Sequence, residues 1–324
     1  MNSTVKVTLS FFILMSGTVA AGLATAQNYP AKPIRLIVPY PVGGGIDVVA
    51  RTLAPKFIET FKQPIVVDNR TGAAGAIGTE TAVRANPDGY TMLMVPGSYA
   101  ANAALQKLPY DPVHDVTPIA WIGVDGFVVT LHPSVPAVSI KELIAYDKAN
   151  PAKLIYGSGG TGSAPHLATE LFNQMAGTRI THVPYKGIVV ALNDLIGGQI
   201  QLALANLPTV IPQIKANRVR GIAVTAAKRS NALPDIPSVG ETVAGYEAAT
   251  WAAMFGPKAL PKDIVARWNH EINRSLQLPD VKARLASDGM EPAGGSPERL
   301  HETLTRDVAK WQKVVKIASI KPEG

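Results

Sequence analysis

Short apolar runs of four to seven residues alternate along this chain with stretches of helical periodicity, and no other feature constrains the fold as tightly. Residues 34–38 predict a strand. Residues 46–61 predict a helix with Val48, Val49, Leu53, Phe57 and Ile58 on its buried side. A second strand follows at 65–67, a helix runs through Glu80 and Val83, and further strands fall at 91–95 and 118–122. The pattern resumes with strands at 154–156, 180–183, 200–204 and 221–225, separated by helices at 167–175, 189–196 and 210–215. Repeated βαβ units of this kind build an α/β fold in which a mainly parallel sheet is flanked by helices. From Pro261 onward the chain is helical and more polar, ending in an amphipathic stretch over 297–317.

Two apolar, strand-like segments break this rhythm, at 127–131 and 250–255, and they bracket the second α/β set. Taken as crossings between two lobes, they divide the chain into lobe one (27–126 plus 250–324) and lobe two (127–249). Two consecutive domains split near residue 126 are the alternative arrangement. Residues 1–26 read as a secretory leader. Lys6 gives a positive start, a mostly small and apolar run follows, and Ala24, Thr25 and Ala26 form a cleavage site, with the cut after Ala26. The run is interrupted by Thr8, Ser10, Ser16 and Gly17, and is shorter than the roughly 20 strongly apolar residues of a spanning helix. The expected location is the periplasm.

The chain has no cysteine, which excludes disulfides, thiolate chemistry and cysteine metal sites. Its formal charge is +7, yet Lys and Arg are neither clustered nor interleaved with aromatics, so no nucleic-acid partner is expected. A basic protein does draw anions towards it. The six histidines are scattered, with no pair at helical ligand spacing, so no metal is expected.

Three glycine-rich stretches follow predicted strands. The first comprises Tyr40, Pro41, Val42, Gly43, Gly44 and Gly45, and leads through Ile46 to Asp47. Ligands of open α/β sheets sit beyond the carboxyl ends of strands, and a glycine loop feeding a helix N-terminus suits an anion. Asp47 is readable as a loop-holding or capping residue, or as an acceptor for a water or donor on the ligand. The second stretch holds Ser158, Gly160, Thr161, Gly162 and Ser163 and opens a helix at His166. Its Gly157, Gly159 and Gly162 match the dinucleotide fingerprint, but no acidic residue ends the next strand, so no nucleotide cofactor, and no other, is expected. The third, from Gly72 to Gly78, reads as close backbone packing as readily as ligand contact. No nucleophile elbow is present. Ser163 with His166 leaves an exported serine hydrolase as one alternative, and a sensory binding protein for a membrane kinase as another.

The chain resembles receptors of the tripartite tricarboxylate transporter family, the Bug receptors. The resemblance rests on the stretches 29–47, 67–78 and 110–118, on Gly162 to Leu167, on Val183 to Gly187 and on Leu233 to Val239. It implies a type II periplasmic-binding-protein fold whose two lobes close on a small carboxylate, monocarboxylic or dicarboxylic, aliphatic or aromatic. It also implies capture by loop backbone and bridging water, in a monomer that serves a multi-span permease and a small membrane subunit. Val42 stands where the family usually has a second proline. Neither carboxylate loop contains Lys or Arg, so recognition should rest on oriented amides. Ser98, Tyr185 and Asn206 are the candidates for reading the far end of the ligand.

Overall fold

Ile34, Leu36, Ile37 and Val38 are fully buried, because β1 (Ile34–Val38) is covered on both faces, as strands of α/β sheets are. The computed structural model describes residues 29–287 and 289–320. The leader and its cleavage site lie outside the described residues.

After β1 come α1 (Gly45–Phe61), β2 (Ile65–Asn69), α2 (Ala76–Val83), β3 (Thr91–Pro96), α3 (Ser98–Leu105) and β4 (Val116–Asp125). The second set contains β5 (Phe127–Leu131), α4 (Ile140–Ala149), β6 (Ile155–Ser158), α5 (Ala164–Ala176), β7 (Thr181–Pro184), α6 (Ile188–Ile196), β8 (Leu202–Asn206), α7 (Leu207–Lys215) and β9 (Arg220–Val224). The chain ends in β10 (Thr250–Pro257), α8 (Lys262–Ser275), α9 (Pro279–Ser287), β11 (Glu291–Pro292) and α10 (Pro297–Ile317). In α1 the apolar stripe is Ile46, Val49, Ala50, Leu53 and Phe57, at helical spacing. Val48 and Ile58 fall beside that stripe, and Ile58 is 42% exposed, contrary to the expectation that both face the core.

One sheet runs β11-β4-β10-β3-β1-β2 and the other β7-β6-β8-β5-β9. Parallel pairing holds within β2-β1-β3 and within β7-β6-β8. The sheets are mixed rather than mainly parallel. β10 lies antiparallel between β3 and β4, and β5 lies antiparallel between β8 and β9. The physical cause is connectivity, since a strand entering directly from the other sheet lacks the helical crossover that parallel pairing requires. Phe127 follows Asp125 with only Gly126 between them, so β4 passes straight into β5.

Thr225, fully buried, stitches the outgoing and returning chains together. Its Oγ1 accepts the Phe127 N–H at 2.9 Å and donates to the Ala248 carbonyl at 3.1 Å. Its backbone adds bonds to the same two residues. The largest core cluster runs through both units and takes in Leu300, Leu304, Val308 and Trp311 of α10. That helix begins with a Ser296 cap and Pro297 in its first turn, and it packs against both α3 and α5.

Candidate ligand-binding cleft

The strands β1, β3, β6 and β8 all end on one cleft of about 960 Å³, towards the upper end of small-molecule sites. Four helices start there. α1 begins behind Gly44, α3 behind Gly97, α5 behind Ser163 and α7 behind Asn206, and none of the four is capped by a side chain. The first N–H groups of a helix have no intrahelical acceptor, and the macrodipole places partial positive charge beside them. Gly44, Gly45, Ser98, Ser163, Ala164 and Asn206 all line the same cleft. An anion there meets uncapped N–H groups from both sheets, each helix end contributing about 0.3–1 kcal/mol. Among the described lining residues Lys107 is the only cation and Asp125 the only anion.

Of the first loop, Tyr40, Pro41, Gly44 and Gly45 line the cleft. Tyr40 Oη and Ser98 Oγ share a hydrogen bond at 2.9 Å, which joins this loop to the start of α3. Gly43 adopts φ +79°, and its N–H turns away to the Asp47 carboxylate at 2.8 Å. Asp47 is buried and also accepts from Asn69 Nδ2 at 2.9 Å and Arg51 Nε at 3.0 Å. It shapes the loop and does not line the cleft. Val42 projects outward, 71% exposed.

Of the second loop, Thr161, Gly162 and Ser163 line the cleft, together with Gly159. Ser158 and His166 face inward instead. Ser158 Oγ bonds to the Gly160 backbone and, at 2.7 Å, to His182 Nε2. His166 Nδ1 accepts the Gly162 N–H at 2.8 Å, and its ring stacks on His182 with centroids 3.9 Å apart. Burial, then the neighbouring His182, pushes the His166 imidazole down to about 4, so it is neutral at pH 7 and able to accept. The hydrolase alternative falls on this geometry, because the acceptor nitrogen is committed to a backbone amide and Ser163 Oγ is buried without a partner. Gly160, at φ +122°, turns the loop behind the lining residues. Tyr185 is likewise directed elsewhere: its hydroxyl donates to Asp194 on α6 at 2.8 Å.

Asn206 and Ser98 do reach the cleft, and several unanticipated residues join them. Ala73 and Ala74, in the third glycine-rich stretch, line the cleft with φ of 46° and 51°, a left-handed conformation costly for alanine. That stretch also packs closely, since a Cβ on Gly78 would lie 2.3 Å from the Arg70 carbonyl. Trp251 forms part of the wall, its indole N–H donating to the buried Asp307 of α10 at 2.9 Å. Asp125, the last residue of β4, is the other addition. Its signal was legible as a lone acidic residue inside the apolar run that leads into the crossing strand.

Two α/β units meeting over helix N-termini at one cleft define a protein of the periplasmic-binding-protein fold class, and the solved structures it resembles agree. The R. palustris protein Rpa4515 with adipate matches at 36% identity and TM-score 0.77, over 91% of this chain and 100% of that one. MatC from Rhodopseudomonas palustris with bound malate matches at 27% identity and TM-score 0.73, over 89% and 100%. Protein BugT of Bordetella pertussis is 34% identical over 314 residues, 95% of each chain. The family described as the tripartite tricarboxylate transporter family receptor matches residues 49–320. This chain belongs to that family. It is therefore a solute-binding receptor and not an enzyme. No described helix is long and apolar enough to cross a membrane.

Proposed function

We propose that this chain is a periplasmic receptor that captures a small carboxylate between its two sheets and delivers it to a membrane transporter. The two units act as lobes, 27–126 with 250–324 and 127–249, that close over the ligand. The observation that carries the reading is the set of four uncapped helix N-termini on one cleft whose described lining includes a single lysine. Such a site binds a carboxylate through amides and hydroxyls, with Ser98 and Thr161 as hydroxyl donors. The relatives solved with adipate and with malate favour a dicarboxylate. Export by the leader, with cleavage after Ala26, delivers the receptor to the periplasm. A multi-span permease with a small membrane subunit is the partner that family membership supports.

Calorimetry on the leaderless chain with mono- and dicarboxylates, aliphatic and aromatic, tests this reading. At least one should bind and be recovered unchanged. Gly45 faces open space on the cleft, so Gly45→Val should leave the melting temperature within a few degrees while weakening that binding at least tenfold. Undiminished affinity in this variant removes the first loop from the site.

A further inference from the structure

One acidic side chain of the cleft has no part in amide-based capture. Asp125 closes β4 one residue before the chain passes into β5, and it is only 9% exposed although it lines the cleft. Its Oδ2 accepts a hydrogen bond from Asn206 Nδ2 at 3.1 Å, across the junction of the two sheets. Its Oδ1 is buried with no partner. The charged residues on the elements packed against β4 include Glu291 on β11, Arg299, Arg306, Asp307 and Lys310 on α10, and Lys262, Arg267 and Glu271 on α8, with Lys107 elsewhere on the cleft wall. Among the described residues no ion pair includes Asp125, and Asp307 is taken up by Trp251, Arg306 and Lys310. A buried carboxylate so poorly compensated favours its neutral form. The Asn206 amide marks Oδ2 as an acceptor, so the proton belongs on Oδ1.

We propose that Asp125 is a ligand-binding residue in its protonated form, donating a hydrogen bond from Oδ1 to a carboxylate oxygen of the bound molecule. The proposal rests on the carboxylate-receptor reading and deepens it. It makes the cleft selective for a ligand that presents an oxygen at the sheet junction, and it couples binding to one proton. Burial, the largest influence, pushes the Asp125 carboxyl up to about 7, against the lowering effects of Asn206 and the Gly126 N–H. Affinity for a dicarboxylate should therefore be full below pH 7 and fall as Asp125 ionises above it. For one linked proton the loss between pH 6 and 8.5 is about thirtyfold.

The test uses succinate, adipate, malate and L-aspartate as probes in calorimetry at pH 6 and 8.5, beside carbon NMR of the aspartate carboxyls in the empty protein. A carboxyl resonance that titrates near pH 7, is absent in Asp125→Asn, and accompanies the expected loss of affinity supports the proposal. Asp125→Asn, which keeps a permanent N–H donor, should flatten the pH profile, and Asp125→Ala, which has no donor, should bind more weakly than Asp125→Asn at both pH values. An Asp125 resonance that titrates below pH 5 overturns the proposal. So does a preference for L-aspartate over succinate that vanishes in Asp125→Asn, since that would make the group an anionic partner for an ammonium. Carboxylate binding without pH dependence sinks the proton-donor assignment alone, whereas folded protein that binds no probe at either pH sinks the receptor reading as well.

Discussion

Buried in the first turn of α1, the Asp47 carboxylate takes hydrogen bonds from the Gly43 N–H, from Asn69 and from Arg51, while Asn69 also reaches back to the Tyr40 carbonyl. Burial raises its pKa, but Arg51, the Gly43 N–H and Asn69 together outweigh that and hold the carboxyl below its ordinary value. A group depressed in the folded state contributes stability above its unfolded pKa of about 4 and loses it as pH falls through the folded value. Asp47→Asn should therefore cost about 1–3 kcal/mol at pH 7, with the half-exposed Arg51 adding little. The deficit should shrink as pH falls towards 3. Urea midpoints of both proteins across that range check this, and a deficit that stays constant would mean that the charge is not what matters. The loop-holding role was half legible, because aspartate in a first helical turn has a structural use irrespective of any ligand. Ser158 and His166 were less so. Polar residues in a glycine loop look like ligand contacts until the fold shows which way they turn, and these two turn towards His182 and the Gly162 amide.

Strands such as β1 and helices such as α10 could be read from the chain because burial imprints a period on it, apolar residues running through the strand and recurring every third or fourth position along the helix. Strand direction leaves no such imprint. The residues of β5 and β10 are apolar whichever way they run, so the mixed character of both sheets emerges only from tertiary pairing. The convergence of four helix starts was visible in part, since the α1 and α5 loops are glycine-rich while the α3 start has only Gly97 and the α7 start has no glycine. At the junction where β4 becomes β5, one buried hydroxyl bonds to both crossing chains. Thr225→Val preserves its shape but leaves the Phe127 N–H buried without an acceptor, at a cost of about 1–3 kcal/mol. Hydrogen exchange should quicken at Phe127 and its neighbours by at least tenfold, while β1 and β6 keep their protection. Unchanged exchange at Phe127 would show that the two crossing chains do not depend on Thr225.

At the scale of the whole molecule, the two sheets are connected by direct passage through Gly126 and by the return from β9 to β10, while α10 lies against helices of both units. The proposed closure would bend the units about that junction, with α10 packed on both of them. A cleft of about 960 Å³ is larger than a small dicarboxylate needs, and the proposed closure would bring the helix starts of both units onto one ligand. The absence of native cysteine makes this measurable without background labelling. Val42, 71% exposed on the first loop, and Val189, 58% exposed at the start of α6 beyond the second loop, stand on opposite units. Spin labels on Val42→Cys and Val189→Cys should report a broad distance distribution in the empty protein. On saturation with a bound carboxylate it should become shorter and narrower. Closure stabilised by the ligand predicts that the shift tracks occupancy and disappears in Gly45→Val, where the first loop no longer admits the carboxylate. Two identical distributions at full occupancy would mean that the cleft binds without closing, and the four helix ends would then have to act on the ligand through water rather than by direct contact.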